Sequence, residues 1–101
     1  MKKENDDLIL FDAVDAAKNP RVQTELLNMA WNDGNLRAVA YALKVIAKAR
    51  GMKSTAEESG ISRTALYKSL SEKGNPSLSS LIGIMKALGV TANFQIGANA
   101  I

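Results

Sequence analysis

The chain has no cysteine and no histidine among its 101 residues. Those absences remove disulfides, thiol nucleophiles, most zinc sites and imidazole acid/base chemistry. No convincing carboxylate pair takes their place, so the chain is not expected to be an enzyme, and no metal or cofactor is called for. No stretch approaches the roughly 18 apolar residues of a membrane span. The opening MKKENDDLILFD is too short in its apolar part and too acidic for a secretory signal, so the expected location is the cytoplasm. Internal repeats and low-complexity tracts are also lacking.

What remains has the composition of a soluble domain, 47% hydrophobic and 23% charged. Its length suits one modest core. The net charge of +3 is unevenly spread. Residues 1–35 hold four Lys/Arg against seven Asp/Glu, net −3, and residues 36–76 hold eight against three, net +5. This split suits a polyanionic partner for the middle of the chain and a basic one for the front.

Helical punctuation is frequent. In NPRVQTELLNMAWNDG, Asn19 can cap, Pro20 fits the first helical position and Gly34 fits a left-handed stop. Val22, Leu26, Met29 and Ala30 supply an apolar face with Leu27 and Trp31 beside it, Trp31 as a packing residue. Asn35 caps LRAVAYALKVIAKAR, where Leu36, Val39, Ala40, Leu43, Ile46 and Ala47 form a stripe that Gly51 ends. Arg37, Lys44 and Lys48 lie off that stripe as a solvated face. Ser54 and Glu57 have the spacing of a capping box for a short helix stopped by Gly60. Ser62 caps the next helix, with a staple from Ile61 to Leu66, and Leu70 continues its inner face. After the loop EKGNPS, Ser77 caps a last helix with Leu78, Leu81, Ile82, Met85 and Leu88 inward and Gly89 at its end. VTANFQI alternates as a half-buried strand does, pairing with LILF at 8–11 or across a dimer, or lying on its own domain as an extended tail.

Two short helices with Ala56 in the first, Gly60 at the corner and Ile61 and Leu66 after it have the spacing of a helix-turn-helix. The small alanine permits a close crossing, the glycine a tight corner, and the leucines hold the second helix from behind. Arg63, Thr64, Tyr67 and Lys68 then project outward, on a helix of the size that enters a major groove. Arg63 suits a bidentate guanine contact, and Thr64 and Tyr67 suit thymine methyls, hydrogen bonds or phosphates. Lys68 suits a phosphate, with Ser54, Ser62 and Ser77 adding backbone and hydroxyl contacts and Lys53 and Lys73 electrostatic support.

The order ALKVIAKARGM, GISRTALYKSLS, GNPSLSSLIGIMKALGV, preceded by LFDAVDAAKNP and a helix ending in DGN, resembles the lambda-repressor-like (Cro/CI, XRE) helix-turn-helix domains. In detail it resembles the HigA-like probable addiction module antidote proteins. The resemblance implies a mainly α fold: a lambda-repressor-like helix-turn-helix bundle with an N-terminal helical extension and a short C-terminal β-strand. Residues 1–34 would form the acidic segment and first helix, and 35–101 the DNA-binding domain. It also implies an antitoxin that neutralises a RelE/HigB-type mRNA-cleaving toxin and, as a homodimer, represses its own promoter at a palindromic operator. Ser62, Arg63, Thr64, Tyr67 and Lys68 fall on the family's DNA-reading positions. Two residues depart from its pattern: Thr55 stands where a larger apolar residue is usual, and Ser69 where alanine is. The acidic front, with Asp6, Asp7, Asp12 and Asp15 among Leu8, Ile9, Leu10, Phe11 and Val14, suits a compact basic toxin or is a solvated leader. A plain repressor without a toxin, or an interaction module that no longer binds DNA, are the other readings.

Overall fold

The computed structural model describes residues 14–16 and 18–97. The expectations for residues 1–13, including a partner strand at 8–11 and the acidic leader up to Asp12, lie outside the described residues, as do residues 98–101. Five helices follow a short helical stretch at 14–16: α1 Pro20–Asn32, α2 Leu36–Arg50, α3 Met52–Ser59, α4 Arg63–Ser69 and α5 Leu78–Ala87. Among the described residues there is no strand, and the fold is mainly helical.

The caps form where the sequence places them. The side-chain oxygens of Asn19 and Asn35 accept from the backbone N–H groups of Arg21 and Arg37, each at 2.9 Å, and Pro20 opens α1. Gly34 takes φ 65° between the first two helices, which pack against each other. α2 is the spine of the core. Val39, Ala40, Leu43, Ile46 and Ala47 are buried as its stripe requires, and Ala42 and Val45 are buried too, so α2 is covered over more than one face. Leu36, assigned to the same stripe, is exposed at the first turn.

The junction to α3 departs from the expected capping box. Gly51 adopts φ 113°, a backbone open to glycine, and α3 begins at the next residue with no side-chain cap. Ser54 therefore lies inside the first turn, where its Oγ donates to the Gly51 carbonyl at 3.2 Å. Thr55 is 2% exposed, and its hydroxyl donates to the same carbonyl at 2.8 Å. That bond satisfies the group its burial would otherwise orphan.

α3 packs on α4 and α5. The buried residues of α5 are Leu81 and Ile84, followed by Leu88 at its C-cap, whereas Leu78 and Ile82 point to solvent. α5 ends in a Schellman arrangement: the Gly89 N–H donates to the Lys86 carbonyl and the Val90 N–H to the Met85 carbonyl. Beyond it the expected C-terminal strand is absent, and 91–97 are exposed without regular structure. A strand needs a ladder, and no described segment offers one. Part of the segment instead lies beside α1, with Thr91 and Asn93 lining the same groove as their apolar neighbours. Phe94 stands edge-on to Trp31 with ring centroids 6.4 Å apart, and Val90, Ala92 and Phe94 share a groove of about 140 Å³ with Leu27, Trp31 and Met85.

Candidate nucleic-acid interface

α4 has only seven residues, too few to persist alone, so its stability comes from what it is packed on. Ser62 sets its start: in extended conformation, its Oγ accepts from the Ala65 N–H at 3.0 Å. Leu66 and Leu70 fix its inner face, at 0% and 2% exposure in the core cluster, and Ile61 packs against that cluster from the residue before the cap. The corner is Gly60, in the left-handed conformation at φ 77°. The end of α4 is closed just as tightly. Ser71 Oγ donates to the Lys68 carbonyl at 2.8 Å, and Gly74 turns back so closely that a Cβ there would collide with the carbonyl oxygens of Lys68 and Ser69.

With the leucines turned inward, the opposite side carries Arg63, Thr64, Tyr67 and Lys68, all exposed. Ser62 is exposed beside them; its hydroxyl oxygen is occupied as a cap acceptor and its proton is still available to an anion. Lys68 and Lys73 are brought together around a concavity of about 260 Å³, walled by Ser69, Ser71, Gly74 and Asn75. Lys53 and Ser54 lie exposed on the first turn of α3, the other arm of the corner. Ser77 is exposed at the start of α5, where its Oγ accepts from the Ser80 N–H at 3.1 Å.

The charges of this face are not neutralised from within. Among the described residues the one ion pair is Lys18 to Asp15, at 3.4 Å, remote in sequence from the corner. Arg63, Lys68, Lys53 and Lys73 present their cations to solvent without a carboxylate partner, the condition in which exchange of counterions for a polyanion is most favourable. One cation was missed by sequence reasoning. Lys48, assigned to a solvated face of α2, places its Nζ 5.5 Å from the centroid of the Tyr67 ring, and the Arg63 guanidinium carbon lies 6.0 Å from the same centroid. The only sequence signal for it was an aromatic residue on an otherwise polar helix face. This arrangement can do recognition chemistry: a forked donor, a hydroxyl, a phenol and several point charges on one rigid, shallowly projecting element.

The model of the family described as probable addiction module antidote protein matches residues 7–96, which include every residue of this face. An uncharacterized protein of Haemophilus influenzae is 41% identical over 70 residues, spanning 69% of this chain and 70% of its own length. No solved structure matches the chain.

Proposed function

The chain belongs to the probable addiction module antidote proteins, and from that membership we propose that it is a cytoplasmic, non-catalytic antitoxin that both neutralises a toxin and represses the operon encoding the pair. An antidote protein has a toxin as its partner; the toxin here is of the RelE/HigB type, a small basic mRNA-cleaving protein. Repression runs through α3 and α4 acting as a helix-turn-helix of the Cro/CI (XRE) kind, with a homodimer on a palindromic operator.

The observation that carries this reading is the division of α4 into two faces: Leu66 and Leu70 sealed in the core, Arg63, Thr64, Tyr67 and Lys68 free outside. That outer side carries two cations and no acidic residue, and lies in the basic middle of the chain. Held this way, its first turn reaches base edges, with Arg63 forking onto guanine O6 and N7. Lys68 and Lys73, beside one concavity, take backbone phosphates, and the Ser62 hydroxyl and Lys53 add contacts on the flanks.

The deciding experiment titrates the purified chain against a duplex carrying the promoter of its own operon and against a scrambled duplex of equal composition, at several salt concentrations. Preference for the promoter, weakening steeply with salt, is expected. Equal binding to both would remove the repressor half of the proposal. Co-expression with the product of the adjacent small basic reading frame tests the other half, which a failure to copurify and to relieve growth arrest would remove.

A further inference from the structure

The outer face of α4 contains an arrangement that charge alone does not explain. Two cations from different helices converge on one ring: Lys48 from the last turns of α2, and Arg63 from the first turn of α4. Arg63 and Tyr67 are four residues apart, so they are stacked neighbours along one helix face. Lys48 reaches them only because the packing of the helices brings it there. Both cations carry no partner acid among the described residues and are open to an anion from outside.

We infer that Tyr67 is a positioning residue rather than a base contact: its ring pre-orients the Arg63 guanidinium for guanine and holds Lys48 at the flank of α4, where the lysine takes a DNA phosphate. The inference rests on the DNA-reading proposal above and adds to it one phosphate ligand from α2 and a division of labour within α4. Its physical basis is preorganisation. A free arginine surrenders most of its rotamer freedom on binding, whereas one held beside a ring has less to lose. The phenol hydroxyl has no part in this, and the ring is indispensable to it.

The test uses the full chain, the promoter duplex and single-base variants of it. Tyr67→Phe keeps the ring, and its affinity and base preference are expected within about twofold of wild type. Tyr67→Leu is expected to lose about tenfold in discrimination at the base read by Arg63, within the range one bidentate contact supplies. In an Arg63→Ala background the same substitution is expected to cost no further discrimination. Lys48→Ala is expected to weaken binding to all sequences alike and to lower the slope of log affinity against log salt by about 0.9. In the free protein, the Arg63 side-chain protons should show a ring-current shift that Tyr67→Leu abolishes and Tyr67→Phe retains, a readout independent of DNA. Far-UV circular dichroism confirms that each variant is folded.

Loss of discrimination in Tyr67→Phe would make the hydroxyl a direct contact and overturn the inference. Full additivity of Tyr67→Leu with Arg63→Ala, absence of the ring-current shift, or an unchanged salt slope in Lys48→Ala would each do the same. Wild-type protein with no preference for the promoter would fail the underlying reading itself, a result distinct from any of these.

Discussion

Leu66 and Tyr67 are adjacent in sequence and opposite in environment, which makes them a sharp test of how α4 is held. Leu66 is fully buried in the cluster that joins α2, α3 and α5. Replacing it by alanine removes its buried branch and leaves a cavity, a change that costs about 2–5 kcal/mol. A domain of this size has roughly 5–15 kcal/mol of net stability, so Leu66→Ala should remain mostly folded in the cold while surrendering a large share of it. At about 4–8 °C per kcal/mol, the thermal midpoint should fall by roughly 8–40 °C. Tyr67 is 38% exposed, with Lys48 and Arg63 against its ring. Tyr67→Ala should cost less, about 1–2 kcal/mol, the worth of its two cation–π contacts.

Thermal melts by circular dichroism, with urea titrations to confirm an unchanged m-value, give both numbers. The functional consequences should run the other way. Arg63→Ala should melt like wild type and lose about 1–3 kcal/mol at one base position, whereas Leu66→Ala, assayed well below its midpoint, should keep the base preference. A Leu66→Ala midpoint within a few degrees of wild type, or one above that of Tyr67→Ala, would refute the claim that α4 is clamped by its aliphatic side.

Two glycines around α4 should fail for different reasons. At Gly60 a Cβ meets nothing within 4 Å, so Gly60→Ala carries only the left-handed penalty of about 1–2 kcal/mol, and Gly60→Asn should restore part of it in urea titrations. At Gly74 a Cβ runs into the Lys68 and Ser69 carbonyls, so Gly74→Ala should be the more damaging, and Gly74→Asn should rescue nothing. Ser62→Ala should cost about 1 kcal/mol by removing the cap of α4, measured in the same titrations. Phe94→Ala should red-shift Trp31 fluorescence by uncovering the indole, with about 0.5–1 kcal/mol lost. Deleting residues 1–18 should impair toxin neutralisation more than promoter binding; equal loss of both in a stably folded deletion would count against an acidic toxin-binding front.

The caps were legible in the sequence because capping is local. Asn19, Asn35, Ser62 and Ser77 each accept from a backbone N–H two or three residues ahead, a geometry that asks nothing of the rest of the chain. Helix faces were legible only in part. α5 is apolar at so many positions that its period admits more than one stripe, and Leu78 and Ile82 were read as inward although they are 69% and 47% exposed. What selects the actual stripe is the packing of α5 on α3, which buries Leu81 and Ile84 and leaves the other apolar positions outside. Met29, 67% exposed on α1, fails in the same manner. Alternation misled at 90–96 because period two reports only that one side prefers cover; with no ladder partner Phe94 and Ile96 stay 81% and 78% exposed, and Trp31 meets Phe94 only edge-on.

The same distinction governs the candidate site. Arg63, Thr64, Tyr67 and Lys68 could be assigned outward from sequence because Leu66 and Leu70, on the same short helix, leave them no other side. Lys48 could not, since a lysine near the end of α2 has a sufficient local explanation in solvent and in the helix dipole. Its place at this face appears only when folding brings the Tyr67 ring within 5.5 Å of its ammonium. Local chemistry therefore locates the exposed face of α4 and underdetermines what surrounds it, because a residue delivered from a neighbouring helix carries the signature of ordinary surface charge.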